Sequence, residues 1–462
     1  MTVTATDERL LTALFGPERR PPDRIAVHAP YPGGHRPLPP DLEPHPDKAI
    51  SQRATLLAAL ADGTCRIRRL ADCRDVRANL RALSLLGVRV RATEDATVEI
   101  DGRGTDGLNG SGLVLDAGNS ATTSRLLLAV MAGSTANCTV TGNALLRSRP
   151  MAEVIGPLRN LGADLSELAE PGRLPVEVHG RRLRGGTVDV AVDSAQPVSA
   201  LLFAGSQATG PVRITRRTPA RDHTERLLRW TGVAVAETET ELVVTPGRPR
   251  PFDLDVPGDP SGAALLAALH LASPRAGQEL TLRRVGVNPR RTGFFRILRS
   301  MGAAVSDIPS DGQGPEPVAD LRISLPARLT GIEIAGPRLV QSAIDEVPLI
   351  AALATMAAGR TVIRDAAELR AKDTDRIATT AELLSAFGAG VRATADGLVI
   401  EPRPLTPPRR VVLPPDHRVV FAAFVLTLLA GGATELHGIS AAATSHPGAL
   451  DDLTRYAPVD VL

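Results

Sequence analysis

The chain has 462 residues, of which 43% are apolar and 2% aromatic, and its 53 basic and 51 acidic side chains leave a net charge of +2. That balance describes a globular protein and excludes both a disordered tail and a chain that coats nucleic acid by charge. At roughly 100–200 residues per domain the length allows two to four domains.

The N-terminus shows no basic segment followed by an apolar one, and the longest apolar run, Val419–Ala430, is shorter than the ~20 residues of a membrane span. A cytoplasmic protein without a membrane partner is expected. Cys65, Cys73 and Cys138 have neither metal-site nor disulfide spacing, which predicts buried, reduced thiols.

Pro and Gly are dense from Pro21 to Pro46, predicting an extended arm with one strand. A pattern then recurs six times: small apolar residues, Gly, one or two polar residues and a β-branched run. It covers Leu56–Ile67, Leu126–Val140, Leu201–Ile214, Leu265–Leu282, Leu349–Ile363 and Phe424–Leu436, each predicting a helix that runs into a strand. A second helix and strand follow each copy: LLGVRV from Leu85, NLGADL from Asn160, WTGVAV from Trp230, SMGAAV from Ser300, AFGAGV from Ala386 and RYAPVDVL at the end. A period of about 70–85 residues exceeds that of solenoids and propellers, so each copy is a small α/β unit that shares a core with its neighbours. Six units make two domains of three, and GRPRP within 246–251 marks a crossing between them.

Polar residues break the apolar pattern at predicted helix starts. Lys48 and Arg53 bracket KAISQR, where unpaired backbone N–H groups favour an anion, although two solvated charges would look the same. Asp116–Arg125 reads DAGNSATTSR, with Gly118 and Asn119 suited to a turn and Ser120, Thr122 and Thr123 suited to a cap. Arg147 and Arg149 follow in RSRP, with Pro150 read as a first helical residue. Asp345 and Glu346 precede an apolar helix, RAKDTDR (370–376) opens another, and Asp416, His417 and Arg418 start the sixth. No His, Cys and carboxylate group has metal spacing. If the helices of each domain aim these ends at one interface, the result is a site for an anionic small molecule, with carboxylates available for proton transfer.

In chain order, KAISQR, GNSATTSRLL, RSRPM, DSAQPVSALL, GDPSGAALL, NPRRTGF, IDEVPL, RAKDTDR, DHR and SHPGALDDL resemble the motif series of the 5-enolpyruvylshikimate-3-phosphate (EPSP) synthase family of enolpyruvyl transferases. The resemblance covers Lys48–Leu453. UDP-N-acetylglucosamine enolpyruvyl transferase shares that fold, but its lysine motif and cysteine loop are not found here. The resemblance implies an α/β protein of two domains, each of three βαβαββ units about a pseudo-threefold axis, closing on substrates in the cleft between them. It implies residues 1–47 plus 252–462 as a discontinuous domain, with 48–251 inserted. The implied reaction moves the enolpyruvyl group of phosphoenolpyruvate to an acceptor hydroxyl and releases phosphate, in a monomer that needs no cofactor or metal.

The resemblance also implies roles. Lys48, Asn119, Arg149, Gln196, Arg376 and Arg418 fall on positions that bind phosphoenolpyruvate, and Lys48 is counted with the catalytic groups. Asp345 falls on the carboxylate that takes the acceptor proton, and Asp373 on a glutamate proposed to move the methylene proton. Arg53, Ser194, Gln196, Asp345 and Lys372 belong to the acceptor set. There are departures: Ala49 and Ala220 stand where the family has serines, Ala121 where a glycine lies against the phosphoenolpyruvate pocket, and Asp373 is one methylene short. The acceptor therefore stays open between shikimate 3-phosphate and a nucleotide such as UMP, for which His223 is either a base-contacting group or a packed helix residue. A non-catalytic binding paralogue is the remaining alternative.

Overall fold

The computed structural model describes residues 5–29, 41–93, 97–192, 194–325 and 327–462. Part of the Pro- and Gly-rich arm (30–40) and Asp193, the first residue of DSAQPVSALL, lie outside them.

Six four-stranded sheets share one pairing pattern. The second repeat shows it whole: strand Leu113–Asp116, helix Ala121–Ala132, strand Asn137–Thr141, helix Ala152–Asn160, then strands Asp164–Glu167 and Val176–His179. The helical crossover lets the first two strands run parallel, while the last strand lies antiparallel between the second and the third. This is the βαβαββ unit. Its second helix begins at Ala152, after Met151 in the cap position, rather than at Pro150.

Three sheets take a strand from elsewhere in the chain, two of them as a short edge strand. Asp41–Leu42, just ahead of helix Lys48–Leu60, pairs with Leu280–Gly286, and Asp253–Asp255, just ahead of helix Pro260–Leu271, pairs with Thr64–Arg68. In the sixth sheet, Arg24–Ala29 lies between Gly432–His437 and Val459–Val461, so an N-terminal strand takes the place of the last strand of the final repeat.

The chain divides into two compact units. One comprises Met1–Glu18, Pro46–Val256 and Gln313–Glu316, and the other Arg19–His45, Pro257–Gly312 and Pro317–Leu462. This differs from the sequence-based boundaries, which placed all of 1–47 with the C-terminal residues. Ahead of the predicted arm, Ala5–Phe15 forms a helix, and within the arm Arg24–Ala29 and Asp41–Leu42 are strands, two where the sequence suggested one. Leu11 of the helix is buried in the core of the first unit, against which Leu10, Leu14 and Phe15 also pack.

Each unit holds three inner helices: Lys48–Leu60, Ala121–Ala132 and Ala195–Ser206 in the first, and Pro260–Leu271, Val347–Ala354 and His417–Ala430 in the second. From Ile50 to Leu60 and from Leu126 to Ala132 every residue is buried. A helix apolar on all sides belongs in a core. The outer helices are two-faced: in Gly293–Ser300, Phe294, Phe295, Ile297 and Leu298 are buried while Arg296 and Arg299 face solvent. The three cysteines are free and buried, and burial pushes their thiols up to between about 11 and about 12. Among the described residues no helix is long and apolar enough to cross a membrane.

Candidate functional site

Because the inner helices are largely apolar, most of their charged and amide side chains fall in the first two turns, next to the caps that fix the backbone. Asp47, Ser120 and Ser194 cap the three of the first unit, and Asp259 and Asp416 cap two of the second, each accepting from an N–H two or three residues on.

In the first unit, side chains tie these three turns together. Gln52 Nε2 donates to Ser120 Oγ (2.9 Å) and Thr123 Oγ1 (2.8 Å), joining the first helix to the second. Arg53 joins the first to the third through Ser199 Oγ (2.9 Å), and also holds Thr224 Oγ1 (2.8 Å). Arg125 joins the second to the third by donating from Nη1 to Gln196 Oε1, while Gln196 Nε2 donates to Thr122 Oγ1 (3.0 Å). Arg125 also donates to Glu153 Oε1 (2.5 Å) and to the Pro150 carbonyl (2.8 Å). Lys48 Nζ reaches Asp75 Oδ2 at 3.0 Å. Of the predicted residues here, Lys48, Arg53, Ser194 and Gln196 thus lie in or beside one set of helix ends. Arg149 is near enough to Arg125 to lower its pKa together with burial, and Asn119 Oδ1 is buried with no hydrogen-bond partner among the described residues.

The second unit carries the denser charge cluster. Arg376, buried, donates from Nε to Asp416 Oδ2 (2.7 Å), from Nη1 to Asp345 Oδ1 (3.1 Å) and from Nη2 to Asp373 Oδ2 (3.3 Å). Burial alone would lower its pKa, but the three carboxylates outweigh burial and raise it. Arg418 Nη2 reaches Asp345 Oδ2 (3.4 Å) and Nη1 reaches Glu346 Oε1 (3.3 Å). Asp345, Asp373, Arg376 and Arg418 therefore form one group. Lys372 pairs instead with Glu368. Asp373, Asp416 and His417 bring ligand atoms within 4.8 Å of one another, but Arg376 already donates to both carboxylates, so a cation there would meet a buried guanidinium.

Sequence reasoning gave no role to several members of these clusters. Arg291, buried, donates to Asp259 Oδ1 (3.1 Å) and Ser261 Oγ (3.0 Å) and lies 3.7 Å from Asp345 Oδ2. Glu346 accepts from Ser261 and Arg418. Arg125, Glu153, Gln52 and Asp75 were also missed as partners. The usable signal was the presence of NPRRTGF and GDPSG in the motif series. His223 is a packed residue: it is buried, with Nδ1 2.7 Å from Glu316 Oε1.

Next to Arg53, Glu225 is buried 3.6 Å from Arg216. Burial, helped by Asp222 and Glu237, pushes its carboxyl from 4.5 up to about 7. A carboxyl with a folded pKa above its unfolded value holds more protons when folded. The stability this confers is full below the unfolded pKa and lost as pH rises through the folded one. Unfolding free energy should therefore fall between pH 4.5 and about 7, and Glu225→Gln should flatten that slope in urea titrations across the range. An unchanged slope would contradict the assignment.

Residues 34–453 match the family model described as "EPSP synthase (3-phosphoshikimate 1-carboxyvinyltransferase)". The 3-phosphoshikimate 1-carboxyvinyltransferase of Anaeromyxobacter sp. (strain Fw109-5) is 43% identical over 415 residues, covering 89% of this chain and 94% of that protein. Its counterpart from Pelotomaculum thermopropionicum is 41% identical over 411 residues, covering 88% and 94%. Among solved structures, EPSP synthase from Acinetobacter baumannii superposes with a TM-score of 0.83 at 32% identity, covering 95% of this chain and 99% of that one. The enolpyruvyl transferase NikO from Streptomyces tendae gives a TM-score of 0.73 over 95% and 99% of the two chains, and its 18% identity speaks to the fold alone. With motifs, repeat topology and relatives in agreement, the chain belongs to the EPSP synthase family of transferases.

Proposed function

We propose that this enzyme transfers the enolpyruvyl group of phosphoenolpyruvate to a hydroxyl of shikimate 3-phosphate, releasing phosphate. The observation that carries the reading is the buried group of Arg376 and Arg418 on Asp345 and Asp373. Guanidinium groups pair bidentately with carboxylate and phosphate, and buried ones held by acids are already oriented to do so. Arg376, Arg418, Lys48, Asn119, Arg149 and Gln196 are assigned to phosphoenolpyruvate. Arg53, Ser194, Gln196 and Lys372 serve the acceptor.

In the proposed chemistry, protonation of the methylene carbon makes its neighbour electrophilic, the acceptor oxygen adds there, and the tetrahedral intermediate expels phosphate as the proton is withdrawn. Asp345 takes the acceptor proton and Asp373 moves the methylene proton. Both accept hydrogen bonds from Arg376, which orients them. Curated relatives at about 40% identity carry the shikimate activity in their names, and His223 is buried against Glu316, which removes the base-contacting role considered for it.

Phosphate release should require both phosphoenolpyruvate and shikimate 3-phosphate, with UMP inactive as acceptor; the reverse preference would overturn the acceptor assignment. Asp345→Asn should still fold, though with a lowered melting temperature because it takes a charge away from buried arginines, and should lower turnover by about 100-fold or more, the scale of acid–base catalysis. Wild-type turnover in that variant would remove Asp345 from its role.

Ala121 is buried in the first turn of its helix, beside Ser120 and Asn119. The methyl group it adds, where the family has glycine, should crowd glyphosate, which is longer than phosphoenolpyruvate. Overpacking by one methyl costs about 1–3 kcal/mol, roughly a tenfold to hundredfold loss of affinity. Inhibition against phosphoenolpyruvate should therefore be weak and should strengthen in Ala121→Gly. Equal inhibition of both proteins would show that the methyl is not in the way.

A further inference from the structure

The helix Ala5–Phe15 precedes the stretch that matches the family, residues 34–453, yet it is built into the first unit. We propose that it is a brace that sets the position of the Lys48 ammonium through the helix Arg74–Leu85, with Arg77 as the positioning residue. The proposal rests on reading Lys48 as a phosphoenolpyruvate-binding group.

The brace grips the first turn of Arg74–Leu85 from outside. Leu11 is fully buried, and Leu10, Leu14 and Phe15 pack on the same core. Arg77, 2% exposed despite its charge, donates from Nη2 to the Gly16 carbonyl (3.3 Å) and from Nε to Asp72 Oδ1 (2.6 Å), and its guanidinium carbon lies 5.1 Å from the centre of the Phe15 ring. A cation over an aromatic face, desolvated and hydrogen-bonded, is held firmly. Arg74 Nε adds a contact to Glu18 Oε1 at 2.9 Å. The helix needs outside ties, because Cys73 occupies its cap position without a side-chain cap bond.

Asp75 leaves the same turn in the opposite direction, since residues two apart on a helix lie about 200° apart. Its Oδ2 accepts from Lys48 Nζ at 3.0 Å and its carbonyl accepts from Thr123 Oγ1 at 3.3 Å. One turn of helix therefore links the N-terminal helix on one side to Lys48 and the second inner helix on the other. Lys binds as a point charge, so a small displacement of Asp75 moves the charge that the substrate meets.

The test is two-substrate kinetics alongside thermal melting for Phe15→Ala, Arg77→Met, Arg77→Lys and Lys48→Met. A misplacement of about 1 Å can cost up to about 100-fold. Phe15→Ala and Arg77→Met should raise KM for phosphoenolpyruvate by about tenfold, leave KM for shikimate 3-phosphate within about twofold, and be partly rescued in Arg77→Lys. A lowered melting temperature with unchanged KM for phosphoenolpyruvate, or an equal rise in both KM values, would overturn the brace as a positioning device. If Arg77→Met does not fold, Phe15→Ala decides alone. If Lys48→Met leaves KM for phosphoenolpyruvate unchanged, the reading of Lys48 fails and takes the brace with it. If Lys48→Met raises that KM and Phe15→Ala does not, the brace alone fails.

Discussion

Six helices that are apolar on every side can be polar only at their ends, and this constraint governs where the chemistry can sit. In each unit the inner helices are buried along their length, so charged and hydrogen-bonding groups collect at the first turns. Within the first unit Gln52, Arg53 and Arg125 tie three such turns together, and within the second Ser261, Glu346 and Arg418 do the same. Three helix N-termini meeting in a unit present backbone N–H groups and positive dipole ends to whatever binds there. Anions are the ligands such an arrangement favours.

That preference creates a cost for the protein itself. Arg376 and Arg418 are cations buried at helix starts, where the dipole opposes them and water is excluded. Asp345, Asp373, Asp416 and Glu346 compensate. Buried ion pairs of this kind contribute little net stability, because desolvation of each ion cancels much of the attraction, but removing one partner strands the other. Their effect is to fix geometry. In the proposed reaction two of these acids, Asp345 and Asp373, also exchange protons, so orientation and acid–base chemistry share side chains.

The repeat was legible because small apolar runs ending in Gly and a β-branched strand leave a strong periodic mark, and the helix starts were legible from Asp, Ser, Lys and Arg interrupting it. What escaped was non-local or very short. Strands of two and three residues, Asp41–Leu42 and Asp253–Asp255, are too brief to show alternation, so their transfer to distant sheets left no trace. The helix Ala5–Phe15 was overshadowed by the Pro-rich run behind it. The partners of Arg125 lie 28 and 71 residues away in sequence, and no local pattern reports them. Ranking Asp345 and Asp373 above other acids came from the motif resemblance, not from spacing.

Asp416 allows the central claim to be tested with the helix cap retained, because Asn caps a helix about as well as Asp but carries no charge to hold Arg376. The measurement is KM for phosphoenolpyruvate and for shikimate 3-phosphate in Asp416→Asn, by phosphate release, with thermal melting followed alongside to confirm that the variant is folded at the assay temperature. Helix-end carboxylates that orient the guanidinium groups predict a rise of about tenfold or more for phosphoenolpyruvate with the acceptor value unchanged, the loss expected from one charge-assisted contact. A wild-type KM for phosphoenolpyruvate would contradict the account.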